Sequence, residues 1–117
     1  MDKYRIAVAS SDGIVVNQHF GRADTFYIYE ADEDLNLQLV DTRNVTPVCH
    51  TGNHDEEELV TNVKRLADCG YLLVSRIGQS AANVAESEGI TPMELPGIIT
   101  ESIEKLIQYI KVQRLFA

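Results

Sequence analysis

The chain has 117 residues, 44% hydrophobic and 24% charged, the size and balance of one globular domain over residues 1–117. Its net charge of −8, from 18 acidic and 10 basic residues, argues against a duplex-binding surface, which needs clustered Lys and Arg, so no nucleic-acid partner is expected. No stretch has the apolar length of a membrane span, and the start "MDKYRIAVASSDG" lacks the basic head and apolar run of a signal peptide. The expectation is a cytoplasmic protein with no membrane partner.

"YRIAVAS", residues 4–10, reads as a central strand in which Ile6 and Val8 alternate with small residues, and "SSDG" then turns the chain. "GIVV" follows as a short arm able to pair back in a hairpin. "TFYIYEA", 25–31, is aromatic and β-branched, a strong strand signal. "LQLVDTRNV", 37–45, is the next strand, joined to it by the acidic hairpin loop "ADEDLN".

The period then changes. "DEEELVTNVKRLADCG", 55–70, puts Leu59, Val63, Leu66 and Ala67 on one helical face, with glutamates crowding the first turn and Gly70 as the stop. "YLLVS", 71–75, is a continuous apolar run, a strand covered on both faces and parallel to the first. "SAANVAESEG", 80–89, predicts a short helix with Ala81, Val84 and Ala85 inward. "ITPMEL" predicts an edge strand, because Pro92 cannot donate to a ladder. "TESIEKLIQYIKVQRLF", 100–116, predicts a last helix with Ile103, Leu106, Ile107 and Ile110 inward and Thr100 as N-cap. This order of elements predicts an α/β fold: a mixed sheet of five main strands with helices on both faces.

Three groups of residues carry possible chemistry. The first is "NQHFGRAD", 17–24. A lone loop histidine is ordinarily a surface residue. His19, however, follows the turn after a central strand, where α/β sheets place ligand sites. Gly21 admits close backbone approach, and Arg22 adds forked donors suited to an anion. Neutral imidazole is a good ligand for iron or molybdenum. Phe20 reads as a packing residue. The second group is "VTPVCHTGNHDEE", 45–57, where Cys49, His50 and His54 fall within six positions. Thiolate and imidazole suit Fe, Cu, Zn and iron–sulfur clusters, but no CxxC pair is present and the spacing alone leaves a free surface thiol open. The third is "SRIG", 75–78, at the end of a buried strand, where Arg76 stands either as an anion contact or as a surface ion-pair partner. Arg43 is a further cation candidate. Cys69 reads as a buried small hydrophobe, and both cysteines as thiols in a reducing compartment.

"IAVASSDGIVVNQHFGRADTFYIYE", then "PVCH", then "ADCGYLLVSRIGQSA" resemble the dinitrogenase iron–molybdenum cofactor biosynthesis family across nearly the whole chain. That family includes cofactor carriers of the NifX and NafY type, the C-terminal domain of NifB, and stand-alone members outside nitrogen fixers. The resemblance implies a ribonuclease H-like fold and a cargo that is the iron–molybdenum cofactor or an iron–sulfur precursor cluster. It implies His19 and Cys49 as metal ligands, with Arg22, His50, His54 and Arg76 as further cofactor-binding candidates. Cluster donor and acceptor proteins of nitrogenase assembly would be partners.

Catalytic readings find little support. A nuclease of ribonuclease H type needs converging carboxylates beginning in the first strand, and "RIAVAS" has none. There is no phosphate-binding glycine loop and no nucleophile elbow. A Cys–His hydrolase built on Cys49 lacks any indicated orienting group. The expected function is therefore non-catalytic: a binding or carrier protein for a metal cluster. Two alternatives stay open, a zinc or copper protein using Cys49 and the histidines, and an interaction module without metal.

Overall fold

The computed structural model describes residues 3–47 and 56–116. Its main sheet has five strands. These are β1 (Tyr4–Ala9), β3 (Thr25–Ala31), β4 (Leu37–Asn44), β5 (Tyr71–Val74) and β6 (Thr91–Glu94), in the spatial order β4-β3-β1-β5-β6. The first strand is central. It pairs antiparallel with β3 and parallel with β5; β3 pairs antiparallel with β4 and β5 parallel with β6, so the sheet is mixed. Two-residue strands β2 (Val15–Val16) and β7 (Gly97–Ile98) pair antiparallel as a separate small ribbon. The helices are α1 (Glu56–Lys64), α2 (Gln79–Ser87) and α3 (Ile99–Leu115). No helix among the described residues is long and apolar enough to cross a membrane.

Period-two alternation in β1 explains how both faces are covered. Ala7 and Ala9 join Leu72, Val74, Val63, Leu66 and Ala85 on the face under α1 and α2. Ile6 and Val8 join Leu73 and the α3 residues Ile99, Ile103, Leu106, Ile107 and Ile110 on the other. The small side chains let two helices approach one face, while the branched ones fill the space beneath a single longer helix. β5 contributes to both faces, which is why it reads as an unbroken apolar run.

Four local expectations are corrected. The arm at Val15–Val16 does not fold back on the first strand; it pairs with Gly97–Ile98 from the far end of the chain. Thr100 is not the N-cap of α3. Ile98 holds that position with extended backbone and no side-chain cap, because the chain leaves the ribbon directly into the helix. Gly70 does not stop α1. The helix ends at Lys64 and turns bridge the gap, with Leu66, Ala67 and Cys69 N–H groups donating to carbonyls three residues back; Gly70 N–H then donates to Arg5 O at 2.9 Å. Ala67 is consequently exposed, and Asn62 is buried in its place, its Nδ2 donating to Thr46 O at 2.7 Å.

Pro92 does lie on an edge strand, and the inward helix residues Ile103, Leu106, Ile107 and Ile110 are buried. Cys69 is a free, buried thiol, and burial pushes its pKa up to about 12.

Candidate functional site

The site is built outward from the end of β1. Ser10 is fully buried, and its Oγ accepts the Gly13 N–H at 2.9 Å and the Asp12 N–H at 3.3 Å while donating to Asp12 Oδ1. Asp12 Oδ1 accepts from Ile14 N at 2.8 Å and Val15 N at 3.1 Å. These bonds, the one from Ile14 foremost, hold the carboxyl below the usual aspartate range. Asn17 closes the turn, accepting from Ser11 N and donating to Ser11 Oγ. "SSDG" is thus a wired turn that fixes where the following residues emerge.

The chain then returns to the sheet. Ser75 N donates to Gln18 O at 3.0 Å and Phe20 N donates to Arg76 O at 2.9 Å, so His19 and Arg76 form a parallel bridge just past β5. The two residues stand side by side at the carboxyl end of the parallel strands. Past His19 a 3₁₀ turn, Phe20–Arg22, closes with the Arg22 N–H donating to His19 O. Phe20 anchors it: its ring is buried, 5.7 Å from that of Phe26. Arg22 is left pointing out of a clamped loop.

Asn17, Gln18, His19 and Arg22 line a hollow of about 180 Å³. His19, Arg22 and Arg76 are all exposed. Among the described residues, neither arginine makes an ion pair. Gln18 and Ser75, the residues just before His19 and Arg76, have side-chain oxygens (Oε1 and Oγ) that are buried without a hydrogen-bond partner among the described residues. Buried polar atoms without partners are unusual. The α2 N-terminus lies three residues beyond Ser75, its N-cap Gly78 supplying no side-chain oxygen and its first turn no acid. Glu94 accepts the Ile77 N–H at 2.9 Å and so sets the strand-to-helix strap carrying Arg76. Its negative charge places the more cationic part of the rim at Arg22.

The structure sets His19 and Arg76 side by side, with Arg22 on the turn that follows His19. Arg43 does not join them. Its guanidinium donates to Asp41, to both oxygens of Asp68 and to the Arg65 carbonyl, which keeps it occupied elsewhere. Cys49, His50 and His54 lie outside the described residues, so the expected meeting of His19 with Cys49 does too. Among the described residues no three His, Cys, Asp or Glu side chains gather as a metal cage. Sequence reasoning missed Gln18, Ser75 and Glu94. Their types carry no ligand signature, and only the bridge between distant segments gives them a place at the site.

Fold and site together define a small mixed α/β domain that presents an exposed histidine and exposed arginines at the carboxyl end of its central strands. The model of the dinitrogenase iron–molybdenum cofactor family matches residues 2–109, and the chain belongs to that family. It is 38% identical over 105 residues to the FeMo cofactor biosynthesis protein NifB of Chlorobaculum tepidum, covering 87% of this chain and 24% of that protein. It is 33% identical over 88 residues to the protein NifY of Klebsiella pneumoniae, covering 75% of this chain and 36% of that one. The chain therefore spans about a quarter of that NifB and a little over a third of that NifY. Among solved structures, that of PH0822 superposes with a TM-score of 0.66 at 23% identity, over 89% of this chain and 90% of that one. An NMR structure from Thermotoga gives a TM-score of 0.55 at 24% identity, over 90% and 88%. Both show a shared fold.

Proposed function

We propose that the protein binds and carries an iron–sulfur-based cluster, the iron–molybdenum cofactor or a precursor of it, and does no chemistry on its cargo. The observation that carries the reading is the bridge between His19 and Arg76. It holds an exposed imidazole beside an exposed guanidinium that makes no ion pair among the described residues. Imidazole supplies an exchangeable ligand without changing the net charge, and arginines suit an anionic metal–sulfur cargo. A carrier must release what it holds, and an open rim with few ligands fits that need better than a closed four-thiolate cage. The NifB relatives are named for FeMo cofactor biosynthesis, which supports cluster donors and acceptors of that assembly as the proposed partners. Cys49 is proposed as the second ligand, with His50 and His54 as the neighbouring candidates.

The test is anaerobic reconstitution with ferrous iron and sulfide, with and without molybdate, followed by metal analysis and a visible spectrum. Charge-transfer bands with bound iron are expected. His19→Ala and Cys49→Ser should each lower retained iron about tenfold or more. Arg22→Ala should lower it less, and Arg43→Ala should leave it unchanged. Colourless protein with stoichiometric zinc, or no bound metal after reconstitution, overturns the reading.

A further inference from the structure

Six of the eight exposed large hydrophobic side chains among the described residues lie along α3 or at its entrance: Ile14, Ile98, Tyr109, Val112, Leu115 and Phe116. Leu115 and Phe116 are 80% and 84% exposed. Isolated apolar surface residues are ordinary, but an aligned set is not. Ile98, Lys105, Tyr109, Val112 and Phe116 are separated by seven, four, three and four residues, so they form one stripe on the solvent side of the helix. Ile14 adjoins its start, since the Ile99 N–H donates to Ile14 O at 2.9 Å.

The charges beside this stripe are ordered. Glu104, Gln108, Lys111 and Leu115 form the adjacent row at the same helical spacing. Acid stands toward the N-terminal half and base toward the C-terminal half. Glu104, Lys105 and Lys111 make no ion pair among the described residues, whereas Arg114 is already committed to Glu33. A hollow of about 350 Å³, lined by Glu101, Glu104, Lys105 and Gln108, opens on the same side.

We propose that this face is a homodimer interface in which α3 packs antiparallel against α3 of a second copy. The face is self-complementary. Reversing the helix on itself about the midpoint between residues 104 and 111 sets Glu104 against Lys111 of the second copy, and the reciprocal pair follows by two-fold symmetry. The same register, to within one residue, brings Phe116 beside Ile98 and Ile14 of the second copy and Tyr109 beside its Lys105, where the ring face can receive the ammonium. One alignment thus satisfies the apolar ends, the free charges and the aromatic together. A parallel arrangement would set Glu104 against Glu104 and Lys111 against Lys111 of the second copy. Most of the remaining surface of a second copy repels the approach, because each carries −8, so the alignment that pairs the charges is selected. A single helix pair is small for an interface, which points to a dimer of micromolar affinity.

Sedimentation equilibrium of the full chain over a concentration series tests this. Wild-type protein should move from monomer to dimer across the micromolar range. Phe116→Glu and Val112→Glu should each weaken association by about tenfold or more, and both residues are exposed enough for circular dichroism to confirm an intact fold. Glu104→Lys and Lys111→Glu should each weaken it, and the double variant carrying both should restore it, a rescue that loss of structure cannot produce. A monomer at every concentration, a dimer indifferent to Phe116→Glu, or the absence of rescue by the charge exchange overturns the proposal. The cargo reading of His19 is independent of all three results.

Discussion

Gly13 shows how a single position can hold the site in place. Its φ is +76°, a conformation that side chains with a Cβ adopt at a cost of about 1–2 kcal/mol. A Cβ built there would also lie 3.1 Å from Tyr27 Cε1, tighter than ordinary contact. The Ser10 and Asp12 oxygens bind the backbone only because the chain takes this left-handed step. Gly13→Ala should therefore lower the unfolding free energy by about 1–2 kcal/mol in urea denaturation. Gly70→Ala serves as the contrast. Gly70 has ordinary dihedrals and open space where a Cβ would stand, so the change should be neutral or stabilise by up to about 1 kcal/mol through the unfolded chain. Equal losses at the two positions would mean that the turn is not the constraint. Because Gly13 lies upstream of His19, Gly13→Ala should also reduce cargo retention more than its loss of stability alone accounts for.

Between elements, the connection after α1 is tied to two strands by Asp68. Its oxygens accept from Arg5 of β1 at 2.7 Å and from Arg43 of β4 at 2.6 Å and 2.8 Å. The hydrogen bonds from Arg43, and then the one from Arg5, hold the Asp68 carboxyl well below the usual aspartate range. A folded-state pKa below the unfolded value near 4 gives stability that is present above that value and lost as pH falls toward the folded one. The side chain is 42% exposed, so solvent screening limits the contribution to about 1 kcal/mol. Asp68→Asn should cost about that much at pH 7, and the gap from wild type should close between about pH 4 and pH 2 in acid-melt curves. A gap unchanged across that range would assign the loss to packing instead of charge.

The same element scale separates what the sequence revealed from what it hid. β1, β3 and β5 announce themselves by alternation or by a sustained apolar run, because those patterns follow from which faces are covered. The stripe of α3 is legible for the same reason. The β2–β7 ribbon is not, since two residues carry no period and their partner lies some eighty positions away. The true end of α1 was hidden because residues 65–69 keep helical spacing while their bonds tighten to three-residue turns. At the site, His19, Arg22 and Arg76 stand out by chemical type. Their assembly through the bridge beside Ser75, and the committed state of Arg43, depend on contacts that no local pattern encodes.

At the scale of the whole molecule, the charge balance opposes the proposed cargo. The protein carries −8 and extends 41 × 30 × 20 Å, and the rim around His19 has Arg22 and Arg76 as cations without an ion pair among the described residues. Salt separates the two influences by distance. At about 0.01 M the Debye length is about 30 Å, so nearly every acid on the molecule repels an approaching anion. At about 0.15 M it is about 8 Å, which silences distant acids but leaves contact with the two arginines largely intact. Binding of an anionic metal–sulfur probe such as tetrathiomolybdate should therefore tighten as salt rises from about 0.01 M to about 0.15 M, the reverse of a simple attraction between opposite charges. The Arg22→Gln, Arg76→Gln double variant should bind about tenfold or more weakly at the higher salt, where the local cations dominate. Calorimetric titration at both ionic strengths reads the two effects. Steady weakening of wild-type binding with salt would show that the acids stand too far from the rim to matter. Indifference to the arginine changes would move the anion away from this end of the sheet.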